Sequence, residues 1–123
     1  MDPDAKEAVR RAAERRGVAA EDRAVAALVA RGWTVLARRV RTPAGELDLI
    51  AEREELLAFV EVKARATLAE AAAALSERQQ RRLMAAAEIW LATSPGHGGK
   101  GIRFDVILVA PDGMRRITDA FRA

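Results

Sequence analysis

The chain has 123 residues, half of them hydrophobic and 32% charged, which fits one soluble domain with a single core and excludes disorder throughout. It has no cysteine, so disulfides, thiol catalysis and cysteine-ligated zinc or iron–sulfur sites are excluded and any metal would need oxygen ligands. The formal charge is +3, and the basic side chains are almost all arginine; this favours an anionic partner only weakly, because an alanine- and arginine-rich chain also follows from genomic base composition.

The N-terminal stretch MDPDAKEAVRRAAERR lacks the basic start and apolar run of a secretory signal, and nothing approaches the roughly 20 apolar residues of a membrane span, so a cytoplasmic protein without membrane contact is expected. Residues 1–16 read as a basic helix or a mobile arm, with little to bury beyond Val9. Residues 17–123 read as one domain. From about Ala19 to Arg31, Glu21, Ala24, Val25 and Leu28 share a helical face, and Gly32 follows where a left-handed cap belongs. Trp33 to Val40 predicts a strand, and Thr42, Pro43, Ala44 and Gly45 a break. Two further strands, about Glu46–Glu52 and Leu56–Ala64, are joined by a short acidic turn with hairpin spacing. The stretch from Thr67 to Thr93 is helical, with Ser76 and Gln79 spaced as a capping box and Leu83, Ala87, Trp90 and Leu91 on the apolar face. After the glycine-rich loop Ser94–Gly101, Ile102 to Ala110 predicts a strand, and MRRIT a short return strand. The order implies a mixed α/β domain.

The hairpin carries acids where buried strands tolerate few. Both strands have apolar residues on both faces, the pattern of strands covered by helices. With the turn centred between Glu54 and Glu55, paired positions sum to 109, which sets Asp48 across from Glu61 at about 5 Å between Cβ atoms and places Lys63 roughly 6.7 Å further along the same face. The Glu-Glu turn is the weak point of this register, because tight hairpins favour glycine there. Two carboxylates about 4 Å apart repel by about 4 kcal/mol at an effective dielectric near 20. A divalent cation resolves the conflict, and magnesium accepts such oxygen ligands together with water and phosphate. The pattern asks for a metal-dependent phosphodiesterase.

GELDLIA, FVEVKAR, QQRRL with IWLA, RFDV and the terminal DAF together resemble the bacterial UPF0102 family, also called the YraN family, over nearly all of Gly17 to Phe121. That family is a branch of the restriction-endonuclease-like PD-(D/E)XK superfamily, related to archaeal Holliday junction resolvases. The resemblance implies an α/β fold, a restriction-endonuclease-like mixed central sheet flanked by helices. It implies Asp48, Glu61 and Lys63 as the catalytic core, with Gln80 at the site's edge, and Asp48 and Glu61, aided by Glu21, as ligands of Mg2+ or Mn2+. DNA, branched DNA included, is the implied partner, and a symmetric homodimer is expected because two strands of a junction suit two equivalent sites. The chain departs from the family pattern at Gln79, commonly lysine, and at Arg39, often asparagine.

Simpler readings stand beside these. An ExK triplet alone is usually a surface ion pair. Glu21 also suits the first turn of a helix, Gln79 a cap, and Gln80 an exposed position. Arg103 and Asp105 read as a structural ion pair, His97 as a solvated loop residue, and Trp33, Trp90 and Phe104 as core. The functional expectation is a nuclease; the alternative is a non-catalytic nucleic-acid-binding or assembly module that keeps the fold.

Overall fold

Alanine, arginine and glutamate favour helix strongly enough to carry the chain through Gly17, where the missing side chain costs about 1 kcal/mol. In the computed structural model, which describes residues 2–122, a single helix α1 (Pro3–Ala30) therefore replaces the two separate N-terminal segments expected. It ends in a Schellman motif: Gly32 adopts φ +85, its N–H bonds Val29 O, and Trp33 N–H bonds Leu28 O. Strands β1 (Thr34–Thr42), β2 (Gly45–Arg53) and β3 (Leu56–Ala64) follow, then helices α2 (Leu68–Ala73) and α3 (Glu77–Ala92), and strands β4 (Ile102–Ala110) and β5 (Gly113–Phe121).

The five strands form one mixed sheet in the order β1-β2-β3-β4-β5, parallel only between β3 and β4. The helical crossover between those two strands is what parallel pairing requires. On one face Ala20, Ala24 and Leu28 of α1 pack on Leu49, Ala51, Ala58, Val60, Ile107 and Val109. On the other, Leu83, Ala86 and Ala87 of α3 pack on Leu47, Ile50, Leu57 and Phe59. Short α2 adds Ala71 against Val106 and Leu108. No helix among the described residues is long and apolar enough to cross a membrane.

The β2–β3 ladder runs from Arg53↔Leu56 to Leu49↔Val60, the predicted register. Glu54 and Glu55 adopt φ +50 and +68 without glycine, because slipping one residue would turn two doubly buried strands inside out. Lys100 N–H bonding Glu55 O at 3.0 Å holds the turn against the following loop.

Three details differ from expectation. The Thr67–Thr93 stretch breaks at residues 74–76, and Ser76 then caps α3 by accepting the Gln79 N–H at 3.1 Å. Strand β5 extends through Asp119 to Phe121, where the Phe121 ring stacks on Phe104 at 4.9 Å. His97 is tied down: its Nδ1 lies 3.2 Å from Glu52 Oε1, and its ring packs 5.6 Å from that of Trp90. The same Glu52 carboxylate accepts the Gly98 N–H, which with His97 holds its pKa below the ordinary value.

Arg103 and Asp105 form the expected ion pair, bidentate and joined by Arg116 and the Asp119 N–H. Burial pushes the fully enclosed Asp105 up, but these partners outweigh it and leave its pKa below the ordinary value.

Candidate active site

At Asp48 the ladder opens. Arg38↔Leu49 and Val40↔Leu47 are paired on β1 and β2, but the rung between them, Arg39 with Asp48, is missing, and Arg39 has φ +51. This kink carries Leu47 to the α3 side with Ile50, whereas strict alternation would have left it on the α1 side with Leu49. Beyond Leu49↔Val60, β2 and β3 part, and the Asp48 carboxylate fills the gap by accepting the Val62 N–H on Oδ2 at 2.8 Å.

Glu61 and Lys63 project from β3 to the same place. Lys63 Nζ lies 3.3 Å from Glu61 Oε1, with the two side chains 11% and 8% exposed. Burial raises the pKa of Asp48, partly offset by the Val62 N–H. Glu61 is pushed up to about 8, first by burial and then by the charge of Asp48, against the pull of Lys63. The pair therefore resists double ionisation in the absence of a cation.

Asp48 and Glu61 are reached from both sides of the sheet. On the α1 side they line a cavity of about 830 Å³ with Glu21, Arg16, Arg39 and Arg65. On the α3 side they line one of about 420 Å³ with Ser76, Arg78, Gln79 and Arg82. Two carboxylates that resist ionising together, with no sulfur or imidazole among the described residues lining either cavity, suit a hard divalent cation that keeps water and phosphate as its other ligands.

Residues 20–109 match the family described as "Uncharacterised protein family UPF0102". The chain belongs to the UPF0102 family. A UPF0102 protein of Rhodopseudomonas palustris strain BisB18 is 51% identical over 98% of this chain and 90% of its own length. One from Granulibacter bethesdensis is 58% identical over 89% of this chain and 70% of its own. Another, from Bradyrhizobium diazoefficiens, is 51% identical over 91% and 85% respectively.

In this UPF0102 protein the structure brings Asp48, Glu61 and Lys63 together. Glu21 is buried at the rim of the same cavity, but its Oε2 accepts from Arg39 Nε at 2.7 Å. Among the described residues no group of three acidic or histidine side chains gathers closely enough to hold a metal ion, although the charge of Glu21 reaches Asp48 and adds to the rise in its pKa. Gln80 is half-buried on α3 and makes no side-chain hydrogen bond to Asp48 or Glu61. Its neighbour Gln79 reaches the site instead, with Nε2 at 3.4 Å from Glu61 Oε1, while its backbone N–H serves the Ser76 cap. The capping-box spacing explains why Gln79 read as a helix start; one residue along a helix turns the side chain by about 100°.

Proposed function

We propose that this UPF0102 protein is a metal-dependent nuclease that hydrolyses DNA phosphodiester bonds, branched DNA included, with Mg2+ or Mn2+ held by Asp48 and Glu61. The observation that carries this reading is the convergence of a half-buried Asp48 and a buried Glu61, both held above their ordinary pKa, with Lys63 beside Glu61 and with Arg16, Arg39 and Arg65 lining the cavity the two carboxylates share. A bound divalent cation would supply a polarised water and neutralise charge on the phosphate oxygens. Asp48, fixed by the Val62 N–H, and Glu61, fixed by Lys63, provide preorganised oxygen donors. Lys63 is placed to orient the attacking water and to offset negative charge as the water oxygen bonds to phosphorus and the phosphorus–oxygen ester bond breaks. The departing oxygen takes up a proton and the second water proton passes to solvent. Gln79 buttresses Glu61 from α3.

The test is incubation of the purified protein with labelled linear, flapped and four-way DNA, in Mg2+, Mn2+ or chelator, alongside Asp48→Ala and Lys63→Ala. Metal-dependent cutting that both substitutions abolish is the expected result. Binding without cutting under every condition would replace the nuclease with a non-catalytic nucleic-acid-binding or assembly module.

A further inference from the structure

Arg39 holds a left-handed backbone, φ +51, inside strand β1, which also shifts register between Val35 and Ala37; that conformation is disfavoured for a side chain of its size. The consequence of the kink is directional: it turns Arg39 toward α1, where Nε donates to Glu21 Oε2 at 2.7 Å. Arg38 Nη2 stands 3.9 Å from the same oxygen and at 2.8 Å from Asp22. The Arg39–Glu21 pair is lopsided, with the carboxylate 8% exposed and the guanidinium 49%. Only Nε of Arg39 is engaged; its two terminal nitrogens make no hydrogen bond among the described residues. Arg39 also lies within Coulombic reach of Asp48 and lines the same cavity as Asp48 and Glu61.

A guanidinium anchored through Nε with its outer nitrogens open is preorganised to grip a phosphate. Glu21 Oε2, committed to that anchor, is occupied by Arg39, which leaves Oε1 alone to face the pair whose Asp48 feels its charge. We propose that Arg39 binds a phosphate of the DNA strand seated at the Asp48–Glu61 pair, and that Glu21 is the positioning residue that holds Arg39 there instead of a third ligand of the cation. This rests on reading the cavity as a nuclease site.

Two measurements test it, neither of them hydrolysis. The first is binding of a labelled DNA duplex in chelator across a range of salt, for the wild type, Arg39→Asn and Arg39→Lys. Asparagine accepts the left-handed backbone, so Arg39→Asn removes the charge without adding strain. Arg39→Asn is expected to weaken binding about tenfold and to lower the slope of log K against log salt by about 1, while Arg39→Lys keeps the slope and loses part of the affinity. The second is Mn2+ titration followed by electron paramagnetic resonance, in which Glu21→Gln is expected to stay within about twofold of the wild type. An unchanged slope in Arg39→Asn, a wild type that does not bind the duplex, or a Glu21→Gln that loses Mn2+ tenfold would overturn the proposal. Because the DNA is bound in chelator, failure of hydrolysis alone would count against the nuclease reading and leave the Arg39 contact standing.

Discussion

Glu61→Gln should make the metal-free protein more stable at alkaline pH, although it removes one partner of an ion pair. The Glu61 carboxyl titrates near 8 in the folded chain, against 4.5 for an ordinary glutamate. Between those values the folded state holds a proton that the unfolded state has lost, so stability falls as pH rises and the full cost is present above about 8. At about 1.4 kcal/mol per pH unit the displacement, shared between Glu61 and its neighbour Asp48, amounts to roughly a few kcal/mol, a large share of a small domain's stability. Asp48, also raised, acts with the same sign. Asp105 and Glu52 are lowered and act oppositely, but their stabilisation is complete above the ordinary carboxylate range and is lost only as pH falls below it, so it does not mask the trend. Glutamine keeps the shape of Glu61 and cannot ionise. Urea unfolding in chelator from pH 5 to 9 should show a falling midpoint for the wild type. The Glu61→Gln curve should be much flatter and should lie above the wild type at pH 9 by a few kcal/mol. A parallel slope in both proteins, or a less stable Glu61→Gln at pH 9, would refute the reasoning.

Other outcomes follow from single contacts. Asp48→Ala leaves the Val62 N–H without its acceptor and should accelerate hydrogen exchange at that amide, at a stability cost of about 1 to 3 kcal/mol. Replacing Glu54 and Glu55 by Asn and Gly suits the two left-handed positions and should raise stability by about 1 kcal/mol in denaturant titrations without altering the register. Asp105→Ala strands Arg103 and Arg116 and the Asp119 N–H, and thermal unfolding should report a loss of about 3 to 5 kcal/mol.

The sequence disclosed most where burial is two-sided. Leu56–Ala64 and Ile102–Ala110 form strands within their predicted bounds because each is an apolar run closed by a turn, and parity across Glu54-Glu55 gave the register as far as Leu49↔Val60, one rung short of the expected direct pairing of Asp48 with Glu61. What parity could not supply was the kink at Arg39 and Asp48, where a side chain replaces a backbone partner and Leu47 changes face; no residue type there signals it, since arginine rarely takes a positive φ. Strand β5 looked shorter than it is because an exposed edge needs no apolar alternation. Gln79 and Gln80 are identical in type, and only the start of α3 decides which one reaches Glu61.

The central claim is that the Asp48–Glu61 pair holds a divalent cation, and calorimetric titration with Mn2+ at neutral pH tests it directly. Because Glu61 retains its proton below about 8, binding should release that proton and its apparent enthalpy should change with the ionisation enthalpy of the buffer. One saturable site per chain, lost in Asp48→Ala and without proton release in Glu61→Gln, is the predicted result. No saturable binding, or binding that Asp48→Ala leaves intact, would contradict it.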